Sequence, residues 1–455
     1  MKLLLIGSGI RTPLLIHGLI ERQLDLGITE VVLFDIDQRR LEIMHWLANH
    51  VAVSNGASFA IRAEPALRSA AEGAAFIFSS IRVGQEQGRI DDERIALELG
   101  VLGQETTGPG GFAMALRTIP VLLDYAAIIE AVAPEAWFIN FTNPAGLITQ
   151  ALRNETSLKV IGICDTPTAM RTSITTALGR SIDDVFVDYC GLNHLGWVHR
   201  VLVDGEDVLH DLIADYPRLQ EAGHEWSLFD ADLVEALGML PNEYLYYFYY
   251  REQAVGNITR SGSTRGQQIK AINDPLWGGL AEDHRRDDPK GALERYLGSM
   301  LSRSGSYMTR ERGRTIDDHG ERHVVDLFAD EGYAGLALDV MQAIVRDRKA
   351  TLILNVTNGG CLAELQPNDV IETVCLVDAH GVRPLGQPPL PDTAMSLVRT
   401  VKTYERLAVQ AAVHGDREAA VLGLAVHPLV CSWSLARKLV DRYLSAQEAS
   451  LQQFR

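Results

Sequence analysis

The N-terminal stretch KLLLIGSGIRTPLLIHGLIERQ constrains this chain more than any other segment. KLLLI is a continuous apolar run, the pattern of a strand buried on both faces. Gly7 and Gly9 end it, and TPLLIHGLIERQ continues with helical spacing. The arrangement recurs. EVVLFDID, AAFIFSSIR, WFINFTNP and KVIGICDTP read as further buried strands separated by helical patterns. Parallel strands joined through helices imply right-handed crossovers and an α/β class, a Rossmann-like doubly wound sheet. The expected division is a nucleotide-binding domain over residues 1–195 and an α+β domain over 196–455 for substrate binding and oligomerisation.

In such sheets ligands lie beyond the carboxyl ends of the strands. The polar residues ending these strands are Ser8, Asp35, Arg82, Asn140, Asn143, Cys164 and Asp165, and they are expected to face one crevice. Gly7-Ser8-Gly9 permits a tight turn and close approach of a pyrophosphate to a helix N-terminus. Asp35 lies near the place of the carboxylate that holds a ribose hydroxyl, roughly 20 residues after the glycine turn. A carboxylate there disfavours the extra phosphate of NADP, so NAD is the expected cofactor. Thr12 stands where the third glycine of the fingerprint would be, and a plain tight strand–helix turn is the alternative.

Composition narrows the rest. The formal net charge of −17 argues against nucleic acid or an anionic membrane as partner, but not against an anionic small substrate in a locally basic pocket. No uninterrupted apolar stretch reads as long enough to span a bilayer. The apolar start is broken by Gly7, Gly9, Arg11 and Pro13, unlike a signal peptide. Five cysteines cannot all pair and show no disulfide framework, which points to reduced thiols and the cytoplasm.

Three other features carry chemistry. Cys164 at a strand end and His194, which follows Asn193 in DYCGLNHLGWV, together suit a borderline-soft divalent metal. A small buried hydrophobe and a structural histidine are the plainer readings, and Cys190 competes from inside a strand. The loop LGQETTGPGGFAMALRTIP gathers glycines around Gln104 and Glu105, fit either to face a ligand with backbone donors or to serve as an irregular connection. The tyrosines of LPNEYLYYFYYRE suggest packing or an interface, although one activated by a cation or metal can act as a base.

Taken in order, LIGSG, IRVGQEQGRIDDERIALELGVLGQETTGPGGF, FTNPAGLIT, GICDTP, YCGLNHLGW and PNEYLYYFYY resemble glycoside hydrolase family 4. STRGQQI, SGSYMT, NVTNGG and VKTYERL extend the likeness to nearly the whole chain, most closely to the family's 6-phospho-β-glucosidases. The resemblance implies a lactate/malate dehydrogenase-like fold and dependence on NAD and Mn²⁺ or another divalent transition metal. It also implies a route outside the usual two-carboxylate mechanism. In that route hydride leaves C3 of the sugar, a base removes the acidified C2 proton, and the metal stabilises the enediolate. The C1 substituent is then eliminated, water adds, and the hydride returns.

By the same resemblance Cys164 and His194 are metal ligands and Tyr244 is the catalytic base. Asp165 protonates the leaving oxygen or holds sugar hydroxyls, and Asn143 sits between nicotinamide and sugar. Asn193 joins the substrate contacts. Arg265 matches a phosphate-binding arginine, and Arg89 is a second candidate whose alternative is a solvated helix face. The expected partner is a phosphorylated glycoside and the expected assembly a homodimer or homotetramer, with no nucleic acid or membrane. One departure matters: GICDTP carries Asp after the cysteine, as in the 6-phospho-α-glucosidases, where the β-type members usually carry Asn. The α-specific enzyme, a member for unphosphorylated sugars, a malate-type NAD-dependent dehydrogenase and a sugar or NAD sensor are the alternatives.

Overall fold

The computed structural model describes residues 1–313 and 332–454. Its centre, among the described residues, is one 13-stranded sheet. The parallel half comprises β1 (Lys2–Ile6), β2 (Glu30–Phe34), β3 (Ala60–Ala63), β4 (Ala74–Ser79), β5 (Trp137–Asn140) and β6 (Lys159–Gly162). Their spatial order is β3-β2-β1-β4-β5-β6. That is the order of a doubly wound dinucleotide-binding sheet, whose crevice opens where it reverses, between β1 and β4. The expected fold class is therefore the observed one.

The apolar run of β1 has a direct cause. Leu3 and Leu5 pack into one core with Ile16, Leu19 and Met341. Leu4 and Ile6 pack into another with Leu116 and Phe138. Both faces are covered, so no position of the strand alternates to polar. The helix Thr12–Glu21 follows, with Pro13 in its first turn, where a missing N–H does no harm.

The helix Pro109–Val132 has 24 residues and is long and apolar enough to cross a membrane. Yet Phe112, Leu116 and Leu122 are fully buried in the protein core. The Arg117 guanidinium within it is buried too and holds both oxygens of Asp92, at 2.8 and 2.7 Å. Pro120 and Arg117 interrupt the apolar stretch in sequence, and the structure uses it as a central core helix.

The second half of the sheet is antiparallel. It contains β7 (Val185–Leu192), β8 (Leu195–Val203), β9 (Glu206–Asp207), β10 (Leu240–Pro241), β11 (Ala350–Thr357), β12 (Val370–Asp378) and β13 (Gly381–Pro384). β11 joins the edge of β6 through Asn355 opposite Gly162, and β12 lies between β11 and β7. Strands from late in the chain thus sit in the middle of the sheet. Residue 195 falls at the turn of the β7–β8 hairpin, and the sheet runs unbroken across it. The helix Asp392–His414 returns to pack on Pro109–Val132.

Candidate functional site

A cavity of about 540 Å³ opens at the β1–β4 switch point, lined by Gly7, Gly9, Asp35, Arg82 and Asn143 among others. Gly7 has φ +87°, and a Cβ there would stand 2.5 Å from the Ser80 carbonyl oxygen. Only glycine takes that conformation in that space. At Gly9 the nearest protein atom to such a Cβ is 4.0 Å away, so the turn leaves its outer side open. Burial raises the Asp35 carboxyl above its ordinary value, with the backbone N–H of Asp37 opposing. A bare turn, a helix N-terminus and an acid at the end of β2 together fit a dinucleotide. Ser8 is fully buried and donates to the Phe34 carbonyl at 3.3 Å. Asn140 also points inward, donating to the Thr142 carbonyl at 3.1 Å.

The far wall of the cavity is basic: Arg11, Arg82, Arg89 and Arg303 all line it. Glu105 sits among them, accepting from Arg82 at 2.5 Å and lying 2.8 Å from Arg89. Burial alone would raise the Glu105 carboxyl, but Arg82 and Arg89 hold it well below the usual range. Arg89 is also bonded to Glu93 at 2.7 Å and is buried, which overturns the alternative of a solvated helix face. Burial, Arg11 and Arg265 press the Arg303 guanidinium down to about 9, with Glu105 opposing. Arginines gathered on one wall of the cavity suit a phosphate. Arg265 stands behind this wall. It donates to the Arg303 carbonyl at 2.8 Å and to Ser306 Oγ at 2.7 Å, so it holds the end of the helix Pro289–Gly305 that carries Arg303.

A second cluster lies past the end of β6. Cys164 is buried, with its sulfur 4.0 Å from Asp165 Oδ1. Burial first, then Glu372 and Asp165, push the thiol well up, so a cation is needed to make it a thiolate. Glu372, on the inserted β12, accepts from Tyr189 Oη at 2.9 Å, Asn193 Nδ2 at 3.0 Å and Asn355 Nδ2 at 2.8 Å. It thereby ties the residue before His194 to the neighbourhood of Cys164. His194 is buried at the β7–β8 turn, and burial lowers its ring to about 3. Its Nδ1 lies 3.0 Å from Thr106 Oγ1. Cys164 and His194 offer the thiolate and imidazole donors that suit a divalent transition ion. Among the described residues no group of three or more His, Cys, Asp or Glu is arranged to hold a metal. Two donors leave room for ligands from elsewhere.

The Tyr244 ring lies flat on His194, with centroids 3.5 Å apart and planes at 2°. Tyr307 Oη lies 2.8 Å from Tyr244 Oη and donates to Glu243 Oε1 at 3.1 Å. Thr166, two residues after Cys164, donates to the same Glu243 oxygen at 3.1 Å. Burial raises the Glu243 carboxyl to about 8, helped by Glu225 and Asp165. Sequence reasoning missed Glu243, Tyr307, Glu372 and Arg303. Glu372 had a signal, a lone acid inside the apolar run VIETVCLV. Glu243 and Tyr307 lie inside the quoted motifs PNEYLYYFYY and SGSYMT, and Arg303 directly precedes the second, but nothing local marked them as site residues.

Residues 2–180 match the Family 4 glycosyl hydrolase domain, and residues 189–430 match the family's C-terminal domain. The chain is 32% identical over 465 residues to a probable 6-phospho-beta-glucosidase of Bacillus subtilis, covering 100% of this chain and 98% of that protein. It is 24% identical over 459 residues to a 6-phospho-alpha-glucosidase of Leptotrichia buccalis, covering 97% and 96%. Its fold matches the structure of the 6-phospho-beta glucosidase from Thermotoga maritima with manganese, NAD+ and glucose-6-phosphate. That match has a TM-score of 0.81 and 26% identity, covering 99% of this chain and 98% of the other.

Proposed function

Because the chain belongs to glycosyl hydrolase family 4, we propose that it is an NAD- and divalent-metal-dependent glycosidase of 6-phosphoglucosides, with β-linked substrates favoured. The observation that carries this reading is the Tyr244 ring stacked on His194 at 3.5 Å, which presents a base and a metal ligand together. When bound, NAD supplies reversible oxidation of the sugar at C3, and Mn²⁺ or a similar ion supplies the charge that acidifies the C2 proton.

The chain's own residues do the rest. Gly7, Ser8 and Gly9 would hold the dinucleotide at the turn after β1 and Asp35 at the end of β2, and Asn143 would sit between the cofactor and the sugar. Cys164 and His194 hold the metal. Tyr244 Oη takes the C2 proton, steadied by Tyr307, whose own hydroxyl is anchored on Glu243. Asp165 protonates the departing oxygen, and Asn193 adds a sugar contact. Arg89 receives the phosphate together with Arg82 and Arg303, while Arg265 holds Arg303 in place. In this reading residues 1–195 bind the dinucleotide and residues 196–455 supply most substrate and subunit contacts. The enzyme works in the cytoplasm as a homodimer or homotetramer.

Asp165 favours a second reading, an α-specific enzyme, because the acid beside the cysteine is the α-type residue. Paired α and β 4-nitrophenyl glucoside 6-phosphates test both, each with NAD and Mn²⁺ together and with either omitted. The expected result is nitrophenol release from the β substrate that needs both additions. Faster release from the α substrate replaces the anomer, activity only on unphosphorylated sugar removes the phosphate role, and release without NAD ends the redox reading.

A further inference from the structure

We infer that Gln104 is a positioning residue that sets which nitrogen of His194 is free to bind a metal, acting through the Thr106 hydroxyl. Gln104 Oε1 accepts the backbone N–H groups of Thr106 and Thr107, each at 2.6 Å. Two N–H donors converging on one atom identify it as the carbonyl oxygen of the amide. The Thr106 hydroxyl lies 3.0 Å from the same oxygen. A carbonyl oxygen cannot donate, so the contact between the two is a bond only when the hydroxyl gives its proton to Gln104, and in the inferred arrangement it does. Only lone pairs of Thr106 Oγ1 then face His194 Nδ1, 3.0 Å away. In that arrangement Nδ1 carries the ring proton, and Nε2 is left with the lone pair.

Burial enforces this. Gln104, Thr106 and His194 are all buried, so bulk solvent has little access to the hydroxyl. Without the Gln104 acceptor the hydroxyl is free to turn and donate to Nδ1. The ring proton then moves to Nε2, which ceases to be a ligand. A metal-ligating histidine usually gives its second N–H to a carboxylate or carbonyl. Here a hydroxyl takes that place, and it acts as a pure acceptor only because Gln104 holds its proton. The backbone bonds of the GQETT loop thus orient a side chain 90 residues on, at the β7–β8 turn.

This inference rests on the reading of His194 as a metal ligand, and the test separates the two. Metal-free protein is titrated with Co²⁺, followed by the thiolate-to-cobalt charge-transfer band, with NAD affinity measured in parallel. The proteins are wild type, Gln104→Met, Thr106→Val, Thr106→Ser and His194→Ala. ¹⁵N-histidine NMR of the metal-free wild type reads the tautomer directly. The expected result is a proton on Nδ1 in the wild type and Co²⁺ affinity reduced roughly 10- to 100-fold in Gln104→Met and Thr106→Val. Thr106→Ser should bind within a few-fold of wild type, and NAD affinity should not change. Wild-type Co²⁺ affinity in Gln104→Met and Thr106→Val, or a wild-type ring protonated on Nε2, overturns the inference. Undiminished affinity in His194→Ala removes the metal-ligand reading instead. If Gln104→Met does not fold, the Thr106→Val and Thr106→Ser pair and the wild-type spectrum decide.

Discussion

Replacing Gly7 and Gly9 singly by alanine separates the turn's part in folding from its part in binding. At Gly7 the backbone has φ +87°, and the new Cβ would stand 2.5 Å from the Ser80 carbonyl oxygen. Ordinary contact begins near 3.4 Å, so β1 and the strand beside it must part by about 0.9 Å. Ser80 cannot yield easily, because its N–H donates to the Ile6 carbonyl at 2.9 Å. Left-handed strain costs about 1–2 kcal/mol and overpacking about 1–3 kcal/mol, roughly 2–5 kcal/mol together. At about 2.1 cal/mol/K per residue, the unfolding entropy of the 455-residue chain is about 1 kcal/mol/K, which gives a fall of roughly 2–5 °C in Tm for one cooperative unit. At Gly9 neither term applies, since no protein atom comes closer than 4.0 Å. Gly9→Ala should therefore melt within about 1 °C of wild type, yet its methyl group enters the space proposed for the pyrophosphate. Its NAD affinity should fall at least about tenfold, or about 1.4 kcal/mol. Thermal melts with and without NAD, with a fluorescence titration of NAD, provide the readout. A wild-type melt for Gly7→Ala refutes the steric argument, and wild-type NAD binding by Gly9→Ala removes the dinucleotide from this crevice.

Tyr244→Phe should lower kcat by roughly 10²- to 10⁴-fold while leaving NAD affinity unchanged; retained hydrolysis would move the base elsewhere. Arg117→Met strips the buried Asp92 of its bidentate partner and should cost about 3–5 kcal/mol in denaturant unfolding; a loss under 1 kcal/mol would contradict the packing described. Glu243, raised to about 8, binds more protons when folded than when unfolded between its ordinary value of 4.5 and that pH. Its contribution to stability is therefore full at low pH and is lost as pH rises through 8, by at most about 1.4 kcal/mol per unit. Denaturation midpoints at pH 5 and pH 8 should converge in Glu243→Gln relative to wild type, and an unchanged difference would assign the slope to other groups.

The parallel half of this protein was legible because its signals are local. An apolar run buried on both faces, glycines that free φ, and a proline at a helix start each act within a few residues. Asp35, Asn143 and the Gly7–Gly9 turn were found that way, and all line the cavity. Ser8 shows the limit of the same rule. It ends a strand as expected, but its hydroxyl satisfies the Phe34 carbonyl, and no local pattern tells an inward polar residue from an outward one.

Only the tertiary structure decided how the second half joins the first. β11 enters beside β6, bringing Asn355 opposite Gly162, where a Cβ would meet Thr149 Oγ1 at 2.3 Å and the Asn355 Cβ at 2.9 Å. Gly162 is thus required by a strand that arrives almost two hundred residues later, and that same insertion carries Glu372 to Asn193. The arginine wall has the same origin: Arg82 and Arg89 follow β4, while Arg303 comes from a distant helix, and their shared Glu105 lies on a loop between them. Strand-edge pairing and charge clustering are settled by long-range packing and desolvation, which depend on what the rest of the chain leaves exposed. Periodicity within a segment carries no record of either.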